Sequence, residues 1–143
     1  MSTTKLLYHI VIGTYSRRRT IPIASERLLY AFINNFSKKK GVKIYRIGGM
    51  PDHIHILCSI PPQLSLSDYV KSIKAESSKF LKFHPNFDTW ERWGEGYFAV
   101  TIGRNDYMPI YNYISNQKPH HTKKSFAEEY REFLIQEGFD NEL

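Results

Sequence analysis

The period at which apolar residues recur changes along the chain, and each change marks an element. Residues 6–15 are an apolar, β-branched run with polar positions alternating through it, closed by a polar turn over 16–19; this predicts a first strand. Leu28, Leu29, Phe32, Ile33 and Phe36 then recur at three and four residues, predicting a helix with Ser25 as N-cap that ends at Lys38-Lys39-Lys40 and Gly41. Residues 42–47 read as a second strand, Gly48-Gly49-Met50-Pro51-Asp52 as a turn-rich connection, and residues 53–60 as a third strand stopped by Pro61-Pro62. Ser65-Leu66-Ser67-Asp68 has the form of a capping box. It opens a second helix with Leu66, Tyr69, Val70, Ile73, Ser77, Phe80 and Leu81 inward and Lys71, Lys74, Ser78 and Lys82 outward. Residues 83–96, with Pro85, Trp90 and Trp93, read as a loop, and residues 97–102 as a fourth strand. Asn105 or Asp106 would cap a third helix bearing Ile110, Tyr113, Ile114 and Gln117, with Pro109 tolerated in its first turn. A last helix is expected over 125–137, with Ser125 and Glu128 as a capping box.

The order β-α-β-β-α-β followed by helices predicts an α+β, ferredoxin-like (split βαβ) fold. Its antiparallel sheet would carry helices on one face, plus C-terminal helices carrying Tyr113. At 143 residues the chain is expected to form one domain over 1–143, large enough for a real core. No apolar run reaches the roughly 20 residues of a membrane span, and the N-terminus lacks a signal-peptide pattern. The single cysteine, Cys58, excludes an internal disulfide and any multi-cysteine zinc motif, so an intracellular, cytoplasmic location is expected. By alternation Cys58 falls on the face of Ile54 and reads as a small buried hydrophobe.

A net charge of +6 and a pI near 9.4 suggest a polyanionic partner, and the placement of the charge sharpens this. Basic clusters occur at Arg17-Arg18-Arg19, at Lys38-Lys39-Lys40, at Lys71, Lys74, Lys79 and Lys82, and at Lys118, Lys123 and Lys124 around His120-His121. Each cluster alone is an ordinary solvated face or helix end. Together with an aromatic content of 15%, they fit single-stranded nucleic acid better than a bare duplex backbone.

The stretch Pro51-Asp52-His53-Ile54-His55-Ile56-Leu57 carries the candidate chemistry. On a strand, His53 and His55 share one face with Cα atoms about 7 Å apart, so their imidazoles can converge on one ion. The plainer alternative is two half-exposed histidines on an edge strand. The cluster Tyr113-Ile114-Ser115-Asn116-Gln117 favours the first reading, because Tyr113 and Gln117 leave one helix face a turn apart. A tyrosine hydroxyl is a poor nucleophile at neutral pH unless its electrophile is activated, as a metal-bound phosphodiester is. Basic surface, metal-ready histidines and a tyrosine together point to phosphoryl transfer through a covalent phosphotyrosine. Alone, Tyr113 is one of ten tyrosines and Gln117 a common helix former.

The motif PDHIHIL preceded by RIGGM, and YISNQKPHH followed by Ser125-Phe126, resemble the two signatures of the insertion-sequence-200-like transposases. These are the small single-tyrosine members of the HUH endonuclease superfamily. The similarity extends to the opening YHIVIGTYSRR, to DYVKSIKAESSKFL and to the segment from Trp93 to Tyr97. The resemblance implies His53 and His55 as metal ligands, Tyr113 as nucleophile and Gln117 as a further ligand. It also implies Mg²⁺ or Mn²⁺, although two imidazoles alone would favour zinc. Asp52 would orient a ligand histidine or simply form the turn. His120 and His121 are expected to contact DNA phosphates rather than a metal, and His9 and His84 receive no role. The Trp90–Trp93 loop is expected to be packing.

The function implied is cleavage and rejoining of single-stranded DNA at the ends of a mobile element, through a 5′-phosphotyrosine and a released 3′-OH. DNA hairpins would bind a basic surface that includes Lys71 and Lys74, with Arg17, Arg18, Lys79, His120 and His121 as further DNA contacts. A homodimer is implied, with active sites shared in trans and no membrane partner. Two other classes stay open at this stage: a non-catalytic single-strand-binding domain, and a metal-dependent nuclease using water, for which Tyr113 would be dispensable. The first leaves the His-x-His pair unexplained and lacks the Lys/Arg-Gly-Phe strand signature.

Overall fold

Strand pairing turns the alternation of the apolar runs into two opposite faces of one sheet. The computed structural model describes residues 2–118 together with Glu128, Arg131, Glu132 and Ile135. Its elements are β1 (Leu7–Gly13), α1 (Glu26–Lys39), β2 (Lys43–Met50), β3 (His53–Ser59), α2 (Leu66–Phe83), β4 (Phe98–Thr101) and α3 (Tyr107–Ser115). The strands form one antiparallel sheet in the order β2-β3-β1-β4, so the α+β split βαβ arrangement expected from the sequence is the one observed. Glu128, Arg131, Glu132 and Ile135 are helical. The predicted capping box at Ser125, the rest of the final helix, and His120, His121, Lys123 and Lys124 lie outside the described residues.

The strand order explains why β1 and β3 read as almost continuous apolar runs: both are central and covered on both faces. Ile10, Ile12, Ile54, Ile56 and Cys58 point to the face covered by α1 and α2, where they meet Leu29, Ile33, Tyr69, Val70, Ile73 and Leu81. Residues of the other parity, Val11, Leu57, Phe98 and Val100, meet Ile110 and Ile114 of α3 on the opposite face. Each such aliphatic side chain, fully buried, contributes about 1.5–3 kcal/mol. Cys58 is buried in the first layer, which pushes its thiol pKa up to about 12 and leaves it inert as a nucleophile. Among the described residues no helix is long and apolar enough to cross a membrane.

Three local expectations are corrected. Gly48-Gly49-Met50 is the end of β2 rather than a connection, pairing with His55, Ile54 and His53 of β3, so the turn shrinks to Pro51-Asp52. The glycines are there for clearance: a Cβ on Gly48 would stand 2.8 Å from the carbonyl oxygen of Ile114, where α3 crosses the strand. Ser25 makes no side-chain cap on α1, which is instead entered through a 3₁₀ turn over Ile23–Ser25. Asp106 likewise does not cap α3; its carboxylate accepts from Gly103 N–H in the preceding 3₁₀ turn at 3.3 Å. Ser65 does cap α2, accepting from Asp68 N–H at 3.1 Å.

The tryptophan loop is fastened to α2. Trp90 Nε1 donates to Ser78 Oγ at 3.1 Å and Trp93 Nε1 to Ser77 Oγ at 2.9 Å, so both indoles belong to the core as expected.

Candidate active site

The parity of β3 sends His53 and His55 to the α3 face, with ring centroids 5.0 Å apart. Because β3 is central, neither histidine is on an edge or half-exposed: His53 is 0% and His55 3% exposed. Buried imidazoles need partners, and each ring is held through Nδ1. His53 Nδ1 lies 2.7 Å from Asp52 Oδ1; the carboxylate can only accept, so the ring donates there, and in a neutral ring Nε2 is then the acceptor. Asp52 also forms the turn, its carbonyl accepting from Thr14 N–H at 2.9 Å and Thr14 Oγ1 at 3.1 Å, so both expected roles coexist. His55 Nδ1 lies 2.9 Å from Nε2 of His9, a residue of β1 to which the sequence assigned no role. His9 is fully buried, and burial lowers its pKa to about 3, so it is a neutral ring at physiological pH.

Helix α3 brings the other candidates. Gln117, just past the end of the helix, is 1% exposed. Its Nε2 donates to the Tyr113 carbonyl at 3.4 Å, which turns Oε1 toward His53 Nε2 at 3.1 Å. The Tyr113 ring stands edge-on to His55 at 5.4 Å between centroids and to His9 at 6.3 Å. Ile110 and Ile114 dock the helix on the sheet. Lys118 staples its end, donating to the Glu26 carboxylate of α1 at 2.8 Å and to the Gly49 carbonyl of β2 at 2.6 Å. Tyr113, His53, His55 and Gln117, far apart in sequence, thus meet within one chain.

The donor set fits one small, hard divalent ion. Among the described residues no three His, Cys, Asp or Glu side chains are placed to hold a metal ion together, so the candidate set is two imidazole nitrogens and an amide oxygen. With a neutral His53 ring, Nε2 and Gln117 Oε1 are both acceptors aimed at one point, a juxtaposition that a cation reconciles. Their 3.1 Å separation matches the about 3 Å between adjacent ligands of an octahedral ion bound at about 2.1 Å. Such a set leaves several coordination positions to oxygens of water or a phosphate.

The basic candidates divide by place. Arg17 and Arg18 sit in the turn after β1, where Ser16 and Arg17 are both left-handed, at φ 52° and 53°. Non-glycine residues there cost about 1–2 kcal/mol each. The turn is held by Thr14 Oγ1 donating to the Arg18 carbonyl at 2.7 Å and by the Arg18–Glu91 ion pair at 2.6 Å. Arg17 lines a cleft with Val11, Thr14, Gly94, Tyr97 and Phe98, and Val11 is the register partner of His55. Lys71 and Lys79 are exposed on α2, behind the sheet from the histidines, with Lys79 3.7 Å from Glu76. Lys74, expected to point outward to DNA, instead buttresses the tryptophan loop: its ammonium donates to the carbonyls of Gly94, at 2.9 Å, and Gly96. Partial burial there lowers its pKa. Its four-carbon stem spans from the helix to the two carbonyls.

His9 is the residue sequence reasoning missed. The signal was present as a polar position inside an apolar run, on the same parity as Val11, but its partner was set by β1–β3 register.

Residues 2–117 match the protein family described as Transposase IS200 like. The chain is 32% identical over 117 residues to the transposase for insertion sequence element IS200 of Salmonella typhimurium, covering 77% of this chain and 75% of that protein. A crystal structure of a transposase from Deinococcus radiodurans superposes with a TM-score of 0.61 at 25% identity, covering 81% of this chain and 93% of the other. A REP-associated tyrosine transposase bound to a REP hairpin shares the fold, with a TM-score of 0.62 at 14% identity over 97% of this chain and 73% of the other.

Proposed function

The chain belongs to the IS200-like transposase family, and we propose that it cuts and rejoins single-stranded DNA with Tyr113 as nucleophile and His53, His55 and Gln117 as ligands of a Mg²⁺ or Mn²⁺ ion. The observation that carries this reading is the 3.1 Å approach of Gln117 Oε1 to His53 Nε2, one helical turn from a tyrosine edge-on to His55. The bound ion would act as a Lewis acid on a non-bridging phosphate oxygen.

The chain's own residues do the rest. The Tyr113 oxygen attacks phosphorus and gives its proton to solvent, which returns one proton to the leaving group. An O–P bond to tyrosine forms, the P–O3′ bond breaks, and the leaving 3′-oxygen takes up a proton. The products are a 5′-phosphotyrosine and a free 3′-OH, and attack by another 3′-OH reverses the step without external energy. Asp52 and the β2–β3 turn hold His53 through Nδ1, and the docked face of α3 holds the Tyr113 ring edge-on to His55, which supplies the proximity term.

Arg17 would grip phosphates of the strand entering the cleft beside Val11, and Arg18 would join it on exchanging Glu91 for a phosphate. Lys71 and Lys79, on the far face, would take a hairpin, the kind of DNA on which one protein of this fold was solved. Lys74 is not part of that surface. His120 and His121 remain candidates for phosphate contact. A homodimer is part of the proposal. The described chain docks α3 on its own sheet, so sharing in trans requires the helix to exchange about the exposed connection Gly103-Arg104-Asn105.

The deciding experiment is incubation of the protein and divalent ion with single-stranded DNA from an element end, followed by denaturing electrophoresis. A covalent adduct that disappears in Tyr113→Phe supports the reading. Nicking by Tyr113→Phe at the wild-type rate shifts it to a nuclease using water, and binding without nicking shifts it to a non-catalytic binding domain.

A further inference from the structure

We propose that His9 is the positioning residue of the second metal-ligand histidine: it accepts the Nδ1 proton of His55 and so fixes Nε2 as the nitrogen that faces the ion. This rests on the metal reading of His53, His55 and Gln117 given above.

The argument starts from tautomers. A neutral imidazole carries one N–H and one acceptor, so in the 2.9 Å contact between His9 Nε2 and His55 Nδ1 one ring gives the proton and the other takes it. If His9 donated, the remaining proton of a neutral His55 would sit on Nε2, and that nitrogen could not bind an ion. If His55 donates, its Nε2 presents a lone pair, and His9 is held as the Nδ1–H tautomer. A ligand histidine therefore requires the second arrangement, and the buried ring of His9 supplies the acceptor that it needs.

The two ligand histidines are thus oriented by different chemistries. His53 has Asp52, a carboxylate that is 15% exposed at its side chain and sits on a turn. His55 has a neutral ring at a position of zero exposure in the middle of the sheet. A carboxylate there would place an unsolvated negative charge beneath a surface that must receive a phosphate. An imidazole provides the acceptor without the charge. Its ring also stacks on His55 with 5.1 Å between centroids, so it fixes both tautomer and ring plane.

The test uses the full chain and Mn²⁺ alone, with affinity read from the loss of the free-ion electron paramagnetic resonance signal. His9→Leu keeps an apolar filling but has no acceptor, and Mn²⁺ affinity is expected to fall roughly 10- to 100-fold. His9→Gln retains an acceptor oxygen and is expected to stay within about fivefold of wild type. Nitrogen-15 spectra of the ion-free wild type should show His55 protonated at Nδ1 and His9 unprotonated at Nε2, a readout that a packing role would not move. Wild-type affinity in His9→Leu, or an Nε2–H His55 in the ion-free protein, overturns the inference; the spectrum decides alone if His9→Leu does not fold. Equal losses in His9→Leu and His9→Gln, in step with falling thermal midpoints, also overturn it. Wild-type protein that takes up no Mn²⁺, or His53→Ala that takes it up normally, overturns the metal reading itself and this inference with it.

Discussion

Gln117 Oε1 stands 3.1 Å from His53 Nε2, and this contact joins the end of α3 to the middle of the sheet. Its amide is aimed by a second hydrogen bond to the Tyr113 carbonyl, so the candidate ligand and the candidate nucleophile are positioned by the same helical turn.

Gln117→Leu should therefore lose ion affinity while keeping the fold. The side chain is buried and the leucine is of similar volume, so isothermal titration with Mn²⁺ is expected to show at least a tenfold loss. Cleavage should be partly restored at high Mn²⁺. A variant with unchanged ion affinity would remove Gln117 from the ligand set.

Gly48→Ala should disturb the site from a distance. The new methyl group would meet the Ile114 carbonyl at 2.8 Å and its Cγ2 at 3.1 Å, so α3 must lift from β2. Overpacking of this kind costs about 1–3 kcal/mol. The expected result is a lowered thermal midpoint, faster amide exchange in α3 and a loss of cleavage. Unchanged exchange in α3 would mean that the helix does not rest on this strand in solution.

Much of this architecture was legible beforehand because it depends on period and parity. The alternation that put His53 and His55 on one face, and the four-residue spacing of Tyr113 and Gln117, survive any plausible packing. What could not be read was pairing across elements. His9 needed the β1–β3 register, Lys74 needed the path of the tryptophan loop, Gly48 needed the position of α3, and Gly49 needed the close approach of β3. Gly48-Gly49 looks like a turn in isolation, because the chain cannot announce which neighbour will press against it.

Acid should destabilise the ion-free protein through His9. Its folded pKa, lowered to about 3 by burial, lies below the ordinary 6.5, so between these values the unfolded chain binds the extra proton. The stability from keeping His9 neutral is fully present above pH 6.5 and declines as pH falls below it, by up to about 1.4 kcal/mol per pH unit. Urea midpoints in chelator from pH 7.5 to 4.5 should show this slope for wild type and a shallower one for His9→Gln. Equal slopes would mean that His9 is solvated in solution.

Mixing His53→Ala with Tyr113→Phe chains separates cis from trans catalysis. Shared sites should yield one intact site per heterodimer and recover up to half of the wild-type cleavage for that species, whereas sites closed within one chain recover none. Sedimentation must show heterodimers for the result to count, and a monomer would remove the assembly from the proposal.

The Thr14–Asp52 hydrogen bonds have a consequence for where a strand is cut. They join the arginine turn to the turn that orients His53, and Thr20 and Ile21 add further bonds to the Pro51 carbonyl at 3.1 and 3.0 Å. On the proposed function, the part that grips the backbone and the part that prepares the scissile phosphate form one plate with little play. Such a plate measures as well as holds. The number of nucleotides between the gripped phosphate and the broken bond would be set by the protein's own dimensions, and a strand shifted by a single nucleotide would present the wrong bond to Tyr113 whatever its bases.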